Sequence, residues 1–186
     1  MMPNTSPDMS PDERHEGSAN TSIPDQPDAP AESHQFDFWL GDWDVTWAAG
    51  GRGRNRITRI LDGQVIQEEF TAFAASPNTK PFLGLSVSVY VPAIAAWRQT
   101  WVDNTGDYME FIGGFADGKL TLAMERTVNG RPTSYRMVFY NIAKQSLDWD
   151  WQSSEDAGQS WRLLWRIHYQ RRTEFRTDAV VDGDAS

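Results

Sequence analysis

The chain has 186 residues, no cysteine and a formal net charge of −9, which suits one domain and is too short for a propeller of several four-stranded blades. Without Cys there is no disulfide, thiol nucleophile or Cys-ligated metal, and a reducing, cytoplasmic setting is expected. The charge sits at the ends: residues 1–33 carry seven acids against Arg14, residues 177–186 carry three acids and no base, and 34–176 hold sixteen of each sign, so the body lacks the basic stripe that a nucleic-acid partner needs.

Residues 1–33 hold six of the ten prolines and few large apolar side chains, too little to offset the entropy of ordering them. They are expected to be a disordered acidic tail, with a second flexible acidic tail at 177–186. The opening MMPNTSPDMSPDE has neither a basic region nor an apolar run, so no signal peptide is expected, and no membrane span is read anywhere. From residue 34 the texture changes, and all nine Trp lie between 39 and 165. HQFDFWL at 34–40 reads as a short helical turn. Ten alternating runs follow, at 42–49, 54–61, 64–73, 83–91, 97–103, 108–115, 119–128, 133–142, 146–153 and 161–172. GGRG, DG, SPNTKP, NTGD, DG, NGRP and EDAGQ stand between them as turns.

Nearly every connection is hairpin-length, which predicts an all-β, up-and-down antiparallel meander. Ten such strands leave two unpaired edges unless they close, so a single closed barrel is expected over 34–176. A barrel of about ten strands is too wide for its wall side chains to fill, and an internal cavity is expected.

In a strand, residues i and i+2 share a face. The inner sets read this way are Trp43, Val45 and Trp47; Ile66, Glu68 and Phe70; Gly84, Ser86, Ser88 and Tyr90; Trp97, Gln99, Trp101 and Asp103; Leu147, Trp149 and Trp151; and, on the last strand, Trp161, Leu163, Trp165, Ile167, Tyr169 and Arg171. The small residues at 84, 86 and 88 are expected to leave room for a ligand. The candidate binding residues are Glu68, Tyr90, Trp97, Gln99, Trp101, Asp103, Trp149, Trp151, Tyr169 and Arg171, an aromatic wall with sparse polar anchors. A buried charge needs a partner, so Arg171 is expected to meet an internal carboxylate or an anionic group on a ligand. The opposing reading of the Trp stripes is plain core packing.

The run Phe36-Asp-Phe-Trp-Leu-Gly-Asp-Trp-Asp-Val45 resembles the opening of a group of uncharacterised bacterial proteins with F-x-F-W-L-G-x-W. The likeness continues through Asp62-Gly-x-x-Ile-x-Glu68, Trp97-x-Gln-x-Trp-x-Asp103 and the segment from Ser154 to Arg171. Gly41-Asp-Trp43 resembles the G-x-W that opens lipocalins and related calycins, which implies a calycin-like barrel. In lipocalins a basic residue of the last strand packs over that Trp as a lid, a role the resemblance implies for Arg171 or Arg172 against Trp43. Tyr169 and Arg171 also resemble, in reversed order, the Arg and Tyr pair that holds a carboxylate in fatty-acid-binding proteins.

SEDAGQSW at 154–161 resembles the Asp-box of sialidase-type propellers, but one box without a repeat implies no propeller. Its Ser, Asp and Gly have a local use in a hairpin turn. His15, His34 and His168 are far apart, with His168 on the expected outer face, so no metal or cofactor is expected. No G-x-S-x-G elbow occurs, and GGRGR at 50–54 opens a strand, which makes it a turn rather than a phosphate cradle. The expected function is binding of a small apolar or aromatic molecule, with or without an anionic end, inside the barrel. Alternatives are a cofactor-free enzyme of isomerase, cyclase or lyase type using Glu68, Asp103, Tyr169 or Arg171, and an interaction module. Oligomeric state is not legible.

Overall fold

The computed structural model describes residues 30–172. The tail expected at 177–186, and that at 1–33 up to residue 29, lie outside the described residues. Ala31–His34 form a 3-10 turn with Ser33 buried, so the folded unit reaches back past the expected boundary at 34. A second 3-10 turn, Asp37–Trp39, leads into the first strand.

Ten strands follow: β1 (Gly41–Trp47), β2 (Gly51–Ile60), β3 (Val65–Ala72), β4 (Phe82–Val91), β5 (Ala96–Asp103), β6 (Tyr108–Ala116), β7 (Lys119–Val128), β8 (Arg131–Tyr140), β9 (Ser146–Ser154) and β10 (Arg162–Arg171). Each pairs antiparallel with its sequence neighbours, and β1 also pairs with β10, closing the expected up-and-down barrel. The architecture is consistent with a lipocalin-like fold. Asp117–Gly118 and Asn129–Gly130 place two successive residues at positive φ, the hairpin-turn conformation that follows the right-handed twist of the flanking strands. β2 starts three residues before the expected position, because Gly51, Arg52 and Gly53 pair with Trp47, Thr46 and Val45 rather than forming a turn. Its Arg54 and Arg56 point outward, 3.9 Å from Asp44 and Asp42 respectively.

The alternation read from the sequence places the core on the inner face. Trp43, Val45, Ile57, Ile66, Trp97, Leu122, Phe139, Leu147 and Ile167 are buried there. One end of the barrel is closed by the segment before β1. Phe36 and Trp39 are fully buried, stack on each other at 4.8 Å and meet Phe139 edge-on at 5.2 and 5.0 Å. Arg59 fixes this plug from outside by donating to Asp37 and to the carbonyls of Ser33 and Gly63.

Arg171 completes the closure, and here the expectation that it faces a ligand is corrected. Its guanidinium lies over the Trp43 ring, 4.1 Å from the centroid, and donates to the carbonyls of Leu40, Phe38 (3.1 Å) and Lys144 (2.9 Å). It sits at the last position of β10, beside the end of the plug, so its donors are taken up by backbone rather than by anything inside the barrel. Trp161 and Leu163 also depart from the expected inner face. The β9–β10 register shifts between Leu163 and Trp165, and this bulge reverses the alternation. Trp161 therefore lies outside, 4.0 Å beneath the Arg136 guanidinium, and Leu163 is exposed.

Replacing Arg171 by Met keeps the apolar stem over Trp43 and removes the donors, leaving the carbonyls of Phe38 and Leu40 unpaired. The expected loss of stability is about 2 kcal/mol in denaturant unfolding. An unchanged midpoint and slope would refute this role for the lid.

Candidate functional site

Above the plug the barrel encloses a cavity of about 130 Å³. It is smaller than a ten-stranded wall allows, because the aromatic side chains fill much of the interior. Glu68, Gln99, Trp101, Asp103, Trp149, Trp151 and Tyr169 line it, as expected from the sequence. Tyr90, Trp97 and Arg171 do not. Tyr90 and Trp97 pair across β4 and β5 at the closed end, where Phe36 packs 5.3 Å from the Trp97 ring and fills the space a ligand would need.

The wall is a continuous arc of rings. Phe82 stacks with Trp101 at 6.3 Å, Trp101 lies 6.1 Å from Phe70, and Phe70 meets Trp165 edge-on at 5.9 Å. Trp165 then meets Trp149 at 5.9 Å, Trp149 lies parallel to Trp151 at 6.5 Å, and Trp151 reaches Phe111 at 5.8 Å. Gly84 makes this arc possible. A Cβ there would fall 2.1 Å from the Trp101 ring, so the space expected for a ligand at Gly84 is taken by the indole.

The polar pole is a buried network. Asn55 Nδ2 donates to Glu68 Oε1 at 2.7 Å and to the Tyr169 hydroxyl at 3.1 Å. Ser86 Oγ donates to Glu68 Oε2 at 2.6 Å, and Gln99 Nε2 donates to Ser86 Oγ and Ser88 Oγ at 3.2 and 3.0 Å. Ser86 and Ser88 thus hold Glu68 and Gln99 instead of leaving room, which corrects the remaining part of that expectation. One branch from Gln99 runs through Ser86 to Glu68, and the other ends on Ser88. Burial pushes the Glu68 carboxyl up to about 7, against the lowering effect of the bonds from Ser86 and Asn55. Burial, then the nearby Glu68 charge, raise Tyr169 well above the ordinary phenol value. Asn55 donation opposes this, as does the Trp39 indole, whose N–H lies near the hydroxyl but outside hydrogen-bonding geometry.

Asp103 stands at the other pole, on the rim. Burial works to raise its carboxyl, but bonds from Thr105, Trp101 and the backbone of 105 and 107 outweigh it and hold the group below its usual range. Trp101 Nε1 donates to Oδ2 at 3.1 Å, and the Thr105 hydroxyl to Oδ1 at 2.6 Å. Asp103 therefore braces a turn and one wall indole.

The sequence reading missed Asn55, Trp39, Phe82, Met109, Phe111, Met137 and Phe139 as contributors. The alternation in Arg54-Asn-Arg-Ile57 and in Met109-Glu-Phe111 carried the signal. SEDAGQSW is the β9–β10 hairpin: Asp156 accepts from Ser154 Oγ and Ser160 N at 2.6 and 2.9 Å, and Ser154 Oγ accepts from Gly158 N at 2.8 Å. His168 lies outside, 2.8 Å from Asp148. Among the described residues no cluster of three His, Cys, Asp or Glu is placed to hold a metal. No helix there is long and apolar enough to cross a membrane. Comparison with family models found no match, and comparison with curated proteins found none.

A carboxyl raised from 4.5 to about 7 on folding stays protonated in the barrel while the unfolded chain has already lost its proton. Its contribution is fully present below pH 4.5 and is lost as the pH rises to 7, an expected fall of about 3 kcal/mol. Glu68→Gln should abolish this part of the pH dependence. Parallel stability curves for the two proteins between pH 4.5 and 7 would refute the raised carboxyl.

Proposed function

We propose that the protein binds a small, predominantly apolar or aromatic molecule inside the barrel. The observation that carries this reading is the cavity itself. One side is an unbroken arc of Trp and Phe rings, and the other presents Glu68, Gln99 and Tyr169, a division that matches small-molecule sites. The Tyr169 hydroxyl accepts from Asn55, which leaves its own hydrogen for a ligand. The anionic end considered from the sequence falls out of the proposal, because the Arg171 donors are occupied at the closed end.

A second reading is favoured by one observation. A carboxyl lifted to about 7 beside a phenol is poised for proton transfer near neutrality, which suits a cofactor-free acid–base enzyme with Glu68 as the proton carrier. We also place the chain among the F-x-F-W-L-G-x-W proteins and in a cytoplasmic setting. The motif has a physical use here, since Phe36 and Trp39 form the plug and Trp43 lies under the lid.

Binding is tested by titrating N-phenyl-1-naphthylamine, a neutral aromatic probe, and following Trp fluorescence. Quenching is expected, and Trp101→Ala should weaken the affinity by about tenfold, the effect of losing one aromatic wall contact, while the far-ultraviolet circular dichroism is retained. No quenching by this probe or by smaller aromatic compounds would overturn the reading.

A further inference from the structure

From the chemistry of the lining we propose that the cavity ligand is a small organic cation, an ammonium group carried on an apolar or aromatic body, with Glu68 as its counter-ion. The inference rests on the binding reading above and specifies it.

Three features of the lining converge. First, five indoles, Trp39, Trp101, Trp149, Trp151 and Trp165, stand around one small space. Indole presents the most electron-rich face among side chains, and a cation over such faces is attracted without needing a hydrogen bond. Second, Glu68 is buried, yet among the described residues no Lys, Arg or His lines the cavity. Arg171 is bound to backbone carbonyls, Arg59 is held by the plug, and His34 and His168 pair with Asp37 and Asp148 away from the cavity. A buried carboxylate without a cation is costly, and bringing one from outside removes that cost. Third, the hydrogen bonds point the right way. Asn55 and Ser86 donate one bond to each Glu68 oxygen, and Gln99 backs Ser86, so the network supports the ionised form that a cationic ligand requires.

A neutral apolar ligand fits less well. It would strip water from the Glu68 side of the cavity and return no charge or donor, which is unfavourable for an acid that ionises near neutrality. An anion would face a carboxylate directly.

The titratable groups around Glu68 are few. Tyr169 on β10 is its ionisable neighbour, raised far above neutrality, and Asp103 on β5 at the rim is lowered. The elements flanking Glu68 otherwise present Asn55 from β2 and Ser86 and Ser88 from β4, which do not titrate. Between pH 5.5 and 8.5, protonation inside the cavity is therefore that of Glu68.

The test compares phenyltrimethylammonium with its neutral isostere tert-butylbenzene by Trp fluorescence, on the full chain and on Glu68→Gln, at pH 5.5 and 8.5. At pH 8.5 the cation is expected to bind the unsubstituted protein at least about tenfold more tightly than the isostere, an ordinary gain for a desolvated cation over aromatic faces beside a counter-ion. Its affinity should fall at least about tenfold at pH 5.5, where Glu68 is protonated, since one pH unit below the pKa changes the ionised fraction by that factor. Glu68→Gln should lose both the preference and the pH dependence, with its far-ultraviolet circular dichroism reporting an intact barrel. If tert-butylbenzene binds as tightly as the cation at pH 8.5, or if Glu68→Gln leaves cation affinity unchanged, the counter-ion proposal is overturned and cavity binding stands. If neither compound binds, both fall. Should Glu68→Gln fail to fold, the isostere and pH comparisons on the unsubstituted protein decide alone.

Discussion

Trp43 and Arg171 face each other across the seam where the first and last strands meet, and the rest of the barrel depends on that contact. The guanidinium covers the indole and ties together the plug through Phe38 and Leu40, and the β8–β9 connection through Lys144. The Trp43 indole N–H donates to the Trp39 carbonyl at 2.7 Å. One stacked pair thus fixes β1, β10 and the 3-10 turn that seals the interior. A cation over indole is worth about 1 to 2 kcal/mol when partly desolvated, and the bonds to backbone carbonyls add to it. With that end sealed, the cavity is confined to the middle and the opposite end of the cylinder.

The sealed end also sets the electrostatics of the site. Because Arg171 is spent on closure, Glu68 has no internal cation among the described residues, and it is either neutral or matched by something that enters. Burial and the network around it pull in opposite directions. Burial favours the acid, and the donated bonds favour the carboxylate, so the group lies near neutrality, where modest changes decide its state. Asp103, equally inward by strand alternation, stays ionised because the 103–107 turn wraps it in donors. Two carboxyls on one wall are separated in behaviour by their hydrogen-bond partners.

Much of this was legible in the sequence. Short alternating runs with Asp-Gly and Asn-Gly turns identified all ten strands, and the economy of closing two edges identified the barrel. Period-two alternation put Glu68, Gln99, Trp101, Trp149, Trp151 and Tyr169 on one surface. Alternation says which face a residue takes but not how far along the barrel axis it lies, and this is where the reading failed. Tyr90, Trp97 and Arg171 have the right parity and the wrong depth. Trp161 and Leu163 were misplaced because a bulge inverts parity, and neither glycine nor proline marks the break at Leu164. Asn55 was overlooked because it stands between two arginines, Arg54 and Arg56, whose outward faces dominate the pattern of that strand.

The seam has a consequence for how the chain reaches this state. Every other pairing joins strands adjacent in sequence, and those hairpins can form locally as the chain emerges. The Arg171 to Leu40 contact spans 131 residues, and it cannot exist until β10 has been synthesised. Pairings of that separation bear the largest loop-closure entropy and form late. Until then β1 and β9 are open edges, and β1 holds Asp42 and Asp44 on its outer face, charges that discourage a stray strand from adding there. The strand that shuts the barrel therefore times its folding, and a nascent chain stopped before β10 would be a curled sheet rather than a vessel.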